Sequence, residues 1–500
     1  MDKLNLKKYF SKSGVIFSAV YLILLGAYWY FSTTDLYNVL LCNLLLIFAC
    51  NIVYGAVNYK KRVMFLLFNV MIFMFLLSRP TIYMLRQSAW YSIFGTTTNI
   101  TALNCILFSM VALLLGTVVA EKLFPRLRRK EKKARKKLPK IDLKVMGIIT
   151  FVVMVGCLLC FGIKELDALL FMRGKAYEAY YSEYQPRVPY IINLVAGFYD
   201  FSVFAFLATK PNKKISYVVL GAYVLSGIPM LIIGLRNPFM LKAVFAFVYF
   251  VIRNRERLPK GKKWIGKIEK AMIIIAIPVV ILGMGVMNYL RSGEAVDLNP
   301  SEIAVDFLFK QGTTYDTVLQ GIAYEDWIPG EPRYFSFGPL YDNYVYGKLG
   351  NIVLGTDPDY IGSGNCFRSA YNSHSFAHAI SYVVQGSSYL AGEGRGTSYV
   401  VENYVDFGYV GVFIISFLLG MFIAFLWNLF GRFWLLNTVI LGVFASLPLM
   451  PRETTLYAFM DVLDYHFFVF IIGIVVLYGA VMLLKKEIKK TDGLKIINNE

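Results

Sequence analysis

Near the end of its longest polar stretch the chain reads Gly392-Glu393-Gly394-Arg395-Gly396-Thr397-Ser398, and a helix-like run from Tyr399 follows at once. Glycines on both sides of one arginine let a backbone approach an anion closely. The helix start just beyond adds N–H groups and a dipole that favour negative charge. Arg395 is therefore expected in an anion-handling site. Gly234-Leu235-Arg236-Asn237-Pro238 is a second tight turn, with Pro238 suited to the first turn of a helix. It holds Arg236 at an apolar boundary. The planar guanidinium fork matches phosphate and carboxylate bidentately. Arg236 and Arg395 rank first as anion ligands.

Acid–base candidates sit close by. Glu402 and Asp406 are four residues apart, and either could take a proton from a hydroxyl. His374 and His378 are also four apart, so on a helix they share a face. Either could serve as a general base. The third histidine, His466, lies far along the chain, so a zinc site lacks its ligands. Asp357-Pro358-Asp359 is a D-x-D that reads as a turn. Cys157 and Cys160 form a C-x-x-C inside an apolar run with no second pair, which indicates packing. No metal and no cofactor is expected.

The elements that must position these groups are membrane helices. Of 500 residues 57% are hydrophobic, above the 45–50% typical of soluble domains. Apolar runs of about 20 residues recur, the length a helix needs to cross a bilayer. The reading is an all-α polytopic membrane protein with about twelve transmembrane helices and one large, partly helical outer loop. Residues 1–288 supply helices one to nine, 289–408 the extracytoplasmic loop, 409–484 helices ten to twelve and 485–500 a cytoplasmic tail. The positive-inside rule fits this count. Lys3, Lys7 and Lys8 open the chain, alternate loops such as Lys60-Lys61-Arg62 and Arg126 to Lys144 are basic, and Lys485, Lys486, Lys489 and Lys490 close it. Both termini are expected to be cytoplasmic. The net charge of +19 thus marks topology and anionic lipid, not nucleic acid.

The outer face has a different balance. Only Lys164, Lys175, Lys310 and Lys348 of 32 lysines fall there, against ten of 19 arginines. Five of those arginines stand at span ends: Arg79, Arg236, Arg291, Arg395 and Arg452. They could ring one cavity for an anionic substrate. Asp200, deep in the sixth span, and Lys242, in the eighth, are charges at expensive depth. They are expected to pair or to face water. The outer loop is expected to be helical over 303–322, 341–354 and 373–384.

The chain resembles the Wzy-type O-antigen and capsule repeat-unit polymerases. The resemblance rests on the G-x-R turn at Gly234 to Arg236, the outer loop of about 120 residues, and the S-Y-x-x-E-x-Y-x-x-F-G-x-x-G ending from Ser398 to Gly411. It implies a C-type glycosyltransferase-like enzyme of the bacterial plasma membrane. Undecaprenyl-diphosphate-linked oligosaccharide would be polymerised on the outer leaflet by transfer to an acceptor sugar hydroxyl. By position, Arg236 and Arg395 would hold the diphosphate, with Arg291 and Arg452 in reserve. Glu402, His378 or His374 would be the base. A chain-length regulator and a flippase are the implied partners. The alternatives are an O-antigen ligase, which differs in its acceptor, and a lipid-linked oligosaccharide flippase or other transporter.

Overall fold

A computed structural model describes residues 12–134, 141–175, 179–255, 263–292, 299–330 and 333–497. Among these residues every regular element is helical. Eleven helices are long and apolar enough to cross a membrane, from Gly14–Ser32 to Tyr465–Ile488. The run at 238–252 also forms a helix, Arg236–Arg253, but it carries Arg236, Lys242 and Arg253 within its 18 residues. Lys3, Lys7, Lys8 and much of the basic 121–144 run lie outside the described side chains.

The chain divides into two compact units. The first comprises Met1–Leu127, Lys267–Asn428 and Pro448–Leu456. Two of its long helices, Thr96–Ala134 and Tyr399–Leu429, touch backbone to backbone. A Cβ on Gly116 would lie 2.0 Å from the Phe417 carbonyl oxygen, and one on Gly420 would lie 2.2 Å from that of Leu113. Small residues allow such approach in a bilayer, where packing rather than water exclusion drives association. Buried amides add directional bonds: Asn51 donates to Asn69 Oδ1 at 3.0 Å and to the Met110 carbonyl at 3.2 Å. The Tyr399–Leu429 helix is broken at Gly408, whose φ of 63° and ψ of −158° suit only glycine.

The third long segment of this unit, Tyr59–Leu85, widens to a π-helical turn at Phe73–Leu77. Pro80 explains the widening, because it cannot donate to a carbonyl one turn back and its ring needs room. Ser78 Oγ and Thr81 Oγ1 donate to the Met74 and Leu77 carbonyls at 2.7 and 2.6 Å. The segment expected at 303–322 is two helices, Pro300–Gln311 and Thr313–Ala323, parted at Gly312. Crowding requires the glycine there: an added Cβ would meet Arg79 Cβ at 2.6 Å and Ser78 Oγ at 2.7 Å. The 341–354 stretch likewise divides, into Tyr341–Val345 and Lys348–Leu354. The 373–384 stretch is the helix Phe376–Gln385.

The second unit comprises Arg128–Gly266, Leu429–Leu447 and Tyr457–Glu500. Its sixth span is two helices, Tyr190–Gly197 and Tyr199–Ala208, and its seventh is Lys213–Leu225 and Ile228–Ile233. Trp434 and Asn437, on the helix Trp434–Ser446, donate to the Ala205 and Ala208 carbonyls at 2.8 and 3.2 Å.

Candidate functional site

Three arginines of the first unit meet residues Gln311 to Thr317, around the helix break at Gly312. Arg79 arrives just after the π turn. Its Nη2 lies 3.2 Å from Asp316 Oδ2, and its guanidinium sits 4.3 Å from the centre of the Phe309 ring. Arg79 Nε is buried with no hydrogen-bond partner among the described residues. Arg395 arrives on the glycine-rich loop. Its N–H donates to Ser381 Oγ at 2.9 Å, and its carbonyl accepts from Thr317 Oγ1 at 3.4 Å. Arg452 arrives on the short helical turn Leu447–Arg452. Its Nη1 donates to Gln311 Oε1 at 2.8 Å, and its guanidinium lies 5.6 Å from the Phe75 ring centre.

The charge balance of this cluster favours an added anion. Asp316 is the acid held by Arg79. Burial pushes its carboxyl upward, against the opposing pull of Arg79 and then Arg395. Glu453, beside Arg452, is raised to about 7 by burial, again against the arginine. Three arginines thus stand near two carboxyls, Asp316 and Glu453, that burial makes harder to ionise. Such a site can stabilise the two charges of a diphosphate, and aromatic walls strengthen the attraction by excluding water.

Glu402 organises this cluster from beneath. It is fully buried. Oε1 accepts from Thr397 Oγ1 at 2.9 Å, and Oε2 accepts from the Thr455 N–H at 2.8 Å and from Thr455 Oγ1 at 3.0 Å. Thr397 is two residues from Arg395, and Thr455 is three from Arg452. One carboxylate therefore ties together the two segments that carry the two arginines. Ser398 Oγ adds a bond to the Pro451 carbonyl at 2.8 Å, and Asn403 Nδ2 one to Thr455 Oγ1 at 2.9 Å. Asp406 has an equally local task. Its two oxygens accept the N–H groups of Phe335 and Ser336 at 3.1 and 2.7 Å.

The two histidines differ. His374 Nδ1 lies 3.0 Å from Asp342 Oδ1, and the His374 N–H donates to the same carboxylate. His378 Nδ1 lies 2.9 Å from the Tyr389 hydroxyl, which itself donates to the Cys366 carbonyl at 3.3 Å. Burial lowers the His378 pKa, so this imidazole is neutral at physiological pH. Among the described residues no group of three or more His, Cys, Asp or Glu side chains could hold a metal. Asp357 caps its own turn, accepting the Asp359 N–H at 2.9 Å.

Of the other expected ligands, Arg291 lies on the helix Lys267–Ser292, and its side chain is outside the described ones. Arg236 belongs to the second unit, where it opens the helix Arg236–Arg253 after Gly234, a left-handed residue with φ 100°. Arg79, Arg395 and Arg452 were all legible as span-end arginines. Asp316, Gln311 and Asp342 were not, because nothing local marks a residue whose partner lies far along the chain, 32 residues away for Asp342 and 141 for Gln311. The second unit holds its own buried cation. Lys242 Nζ donates to Ser226 Oγ at 2.9 Å and lies 3.9 Å from Asp200 Oδ1. Asp200 and Lys242 therefore pair, as their depth suggested.

A polytopic helical membrane protein with a group of arginines near its helix ends is the class defined by this fold and site. A family model described as O-antigen polysaccharide polymerase Wzy matches residues 14–487, and the chain belongs to that family. Membership implies a glycosyltransferase-like polymerase acting on a lipid-linked oligosaccharide in a membrane. No curated protein and no solved structure matches the chain.

Proposed function

We propose that the protein polymerises undecaprenyl-diphosphate-linked repeat units on the outer leaflet, with Arg79, Arg395 and Arg452 holding the donor's diphosphate. The observation that carries the reading is the placement of Arg79, Arg395 and Arg452 around residues Gln311–Thr317: two guanidiniums bond Asp316 and Gln311, and the Arg395 backbone bonds Thr317. In the reaction an acceptor sugar hydroxyl attacks the anomeric carbon of the growing chain. The bond from that carbon to the diphosphate oxygen breaks, and the electron pair leaves with the lipid diphosphate. The arginines stabilise the charge that develops on this leaving group. A base takes the hydroxyl proton. The sequence offers His374, His378 and Glu402 for that task, and Arg236 and Arg291 as further cations. Glu402, with both oxygens engaged, is better suited to spacing Arg395 from Arg452. A chain-length regulator and a flippase complete the proposed pathway, and both termini are assigned to the cytoplasm.

The test is genetic. A deletion strain is complemented with wild type, Arg79→Ala, Arg395→Ala or Arg236→Ala, and surface polysaccharide is separated by size. Single repeat units in place of long chains, with variants present at normal levels in the membrane, support the reading. Loss of all surface polysaccharide with lipid-linked units trapped inside would favour a flippase. Long chains that fail to reach their final acceptor would favour a ligase.

A further inference from the structure

We propose that the acceptor hydroxyl is activated by a His374–Asp342 dyad, beside an aromatic surface formed by Tyr341, Tyr346 and Tyr360 that receives the acceptor sugar. The inference rests on the polymerase reading above and names the second half of its site. His374 is held far more firmly than a capping residue needs. Asp342 takes both its backbone N–H, at 3.1 Å, and its ring Nδ1, at 3.0 Å. The double contact sets Nδ1 as the donor and leaves the Nε2 lone pair as the basic site. Arg333 fixes the preceding backbone, its Nη1 donating to the Ala370 and Ser373 carbonyls at 2.7 and 2.9 Å. Gly338 closes the other side: a Cβ there would lie 1.9 Å from the His374 carbonyl oxygen. The imidazole lies flat on Tyr341, with ring centres 4.6 Å apart and planes 12° apart. Its side chain keeps 16% of its surface accessible, enough for one edge to meet a hydroxyl.

His378 lacks this construction. Its Nδ1 partner is the Tyr389 hydroxyl, a neutral group that cannot stabilise an imidazolium as a carboxylate does. Glu402 has no oxygen to spare. The dyad is also within reach of the arginine cluster. His374 stands just before the helix Phe376–Gln385, and Ser381 on that helix accepts the Arg395 N–H. The intervening residues span on the order of 10 Å at the helical rise, the scale of one or two sugar rings. Tyr346 stacks on Tyr360 at 5.2 Å, and Tyr341 and Tyr360 are 42% and 49% exposed. Exposed aromatic faces of this kind suit the apolar face of a pyranose. In the step, the acceptor O–H proton passes to Nε2, the oxygen bonds the anomeric carbon, and the lipid diphosphate departs with the electron pair. The imidazolium formed is neutralised by Asp342.

The experiment uses the full chain in proteoliposomes, with lipid-linked repeat units extracted from a deletion strain of the native host. Polymer formation is followed for wild type, His374→Ala, Asp342→Asn and His378→Ala, each first checked for an unchanged melting temperature. His374→Ala is expected to lower kcat by about a hundredfold or more, with the donor KM within about threefold, as removal of a general base does. Added imidazole is expected to restore at least tenfold of that loss in His374→Ala and nothing in Arg395→Ala. Asp342→Asn, which keeps the shape, should fall between wild type and His374→Ala. A folded His374→Ala variant within fivefold of wild type, or one that imidazole leaves unimproved, overturns the dyad and leaves the polymerase reading standing. A wild-type protein that consumes no lipid-linked units overturns the polymerase reading itself.

Discussion

Each unit of this protein carries buried or half-buried cations, but the two treat them in opposite ways. In the second unit Lys242 is buried among aromatic rings. Phe161, Tyr223 and Tyr199 ring centres lie 4.5, 5.0 and 5.2 Å from its Nζ, Ser226 Oγ accepts a hydrogen bond from it and Asp200 stands opposite. A cavity of about 510 Å³ lies alongside, lined mainly by apolar groups with Glu165 and Ser226 among them. In the first unit Arg79 has a buried Nε without a partner among the described residues, and the Arg395 guanidinium is exposed. The second unit sets its cation against a carboxylate and a ring of aromatics, whereas the first leaves guanidinium donors for something else. Depth of burial alone does not mark an anion site; several cationic donors near one another do.

The comparison can be broken most sharply at the arginines. Arg395→Ala and Arg79→Ala are each expected to lower polymerisation kcat/KM by about 10²–10³, the usual cost of one charge-stabilising donor. Lysine at the same positions should recover only part of the rate, because a point charge lacks the fork. Kinetics in proteoliposomes check both. Glu402→Gln comes next. An amide cannot accept at both ends, so either the Thr397 or the Thr455 contact is lost. A loss of about 0.5–1.5 kcal/mol is expected from the lost hydrogen bond, read as a lower melting temperature in detergent. Activity should fall with it, because Arg395 and Arg452 lose their spacing.

A smaller effect is expected with pH. The folded value for Glu453, about 7, lies above the ordinary 4.5. The folded protein therefore holds this proton more tightly than the unfolded chain. The group's contribution to stability is fully present below the ordinary value and is lost as pH rises through about 7. Ionised Glu453 also competes for Arg452. Donor affinity should thus weaken several-fold between pH 6 and 8, and Glu453→Gln should flatten both trends. Lys242→Met should matter least to catalysis. Its removal leaves the buried Asp200 Oδ1 without its cation, so the melting temperature should fall, while polymerisation stays within about threefold of wild type because Lys242 touches none of the three arginines. A Lys242→Met loss as large as that of Arg395→Ala would erase the contrast between the two units.

Much of the fold was legible because the bilayer imposes one length and one polarity on every span. The arginines at span ends were legible for a related reason. Span ends can be read from apolar run length, so the positions of Arg79, Arg395 and Arg452 near helix ends were readable from the sequence. The breaks inside spans were harder. Gly312 divides a helix because Arg79 and Ser78 press against it, and no local pattern contains that contact. The roles of acids were harder still. Glu402 reads as a base at a helix start, yet its partners Thr397 and Thr455 engage both oxygens, and Thr455 lies 53 residues away. Asp342, the partner of His374 across 32 residues, had no signature at all. Arg236 and Arg395 looked alike as turns beside apolar runs, yet they belong to different units.

The central claim is that Arg79, Arg395 and Arg452 form the diphosphate site. Binding of undecaprenyl diphosphate to the purified protein in nanodiscs, compared across Arg79→Ala, Arg395→Ala, Arg452→Ala and Lys242→Met, tests it most directly. The account predicts that each arginine variant weakens binding at least tenfold, with Lys242→Met close to wild type. Unchanged affinity in all three folded arginine variants would contradict it.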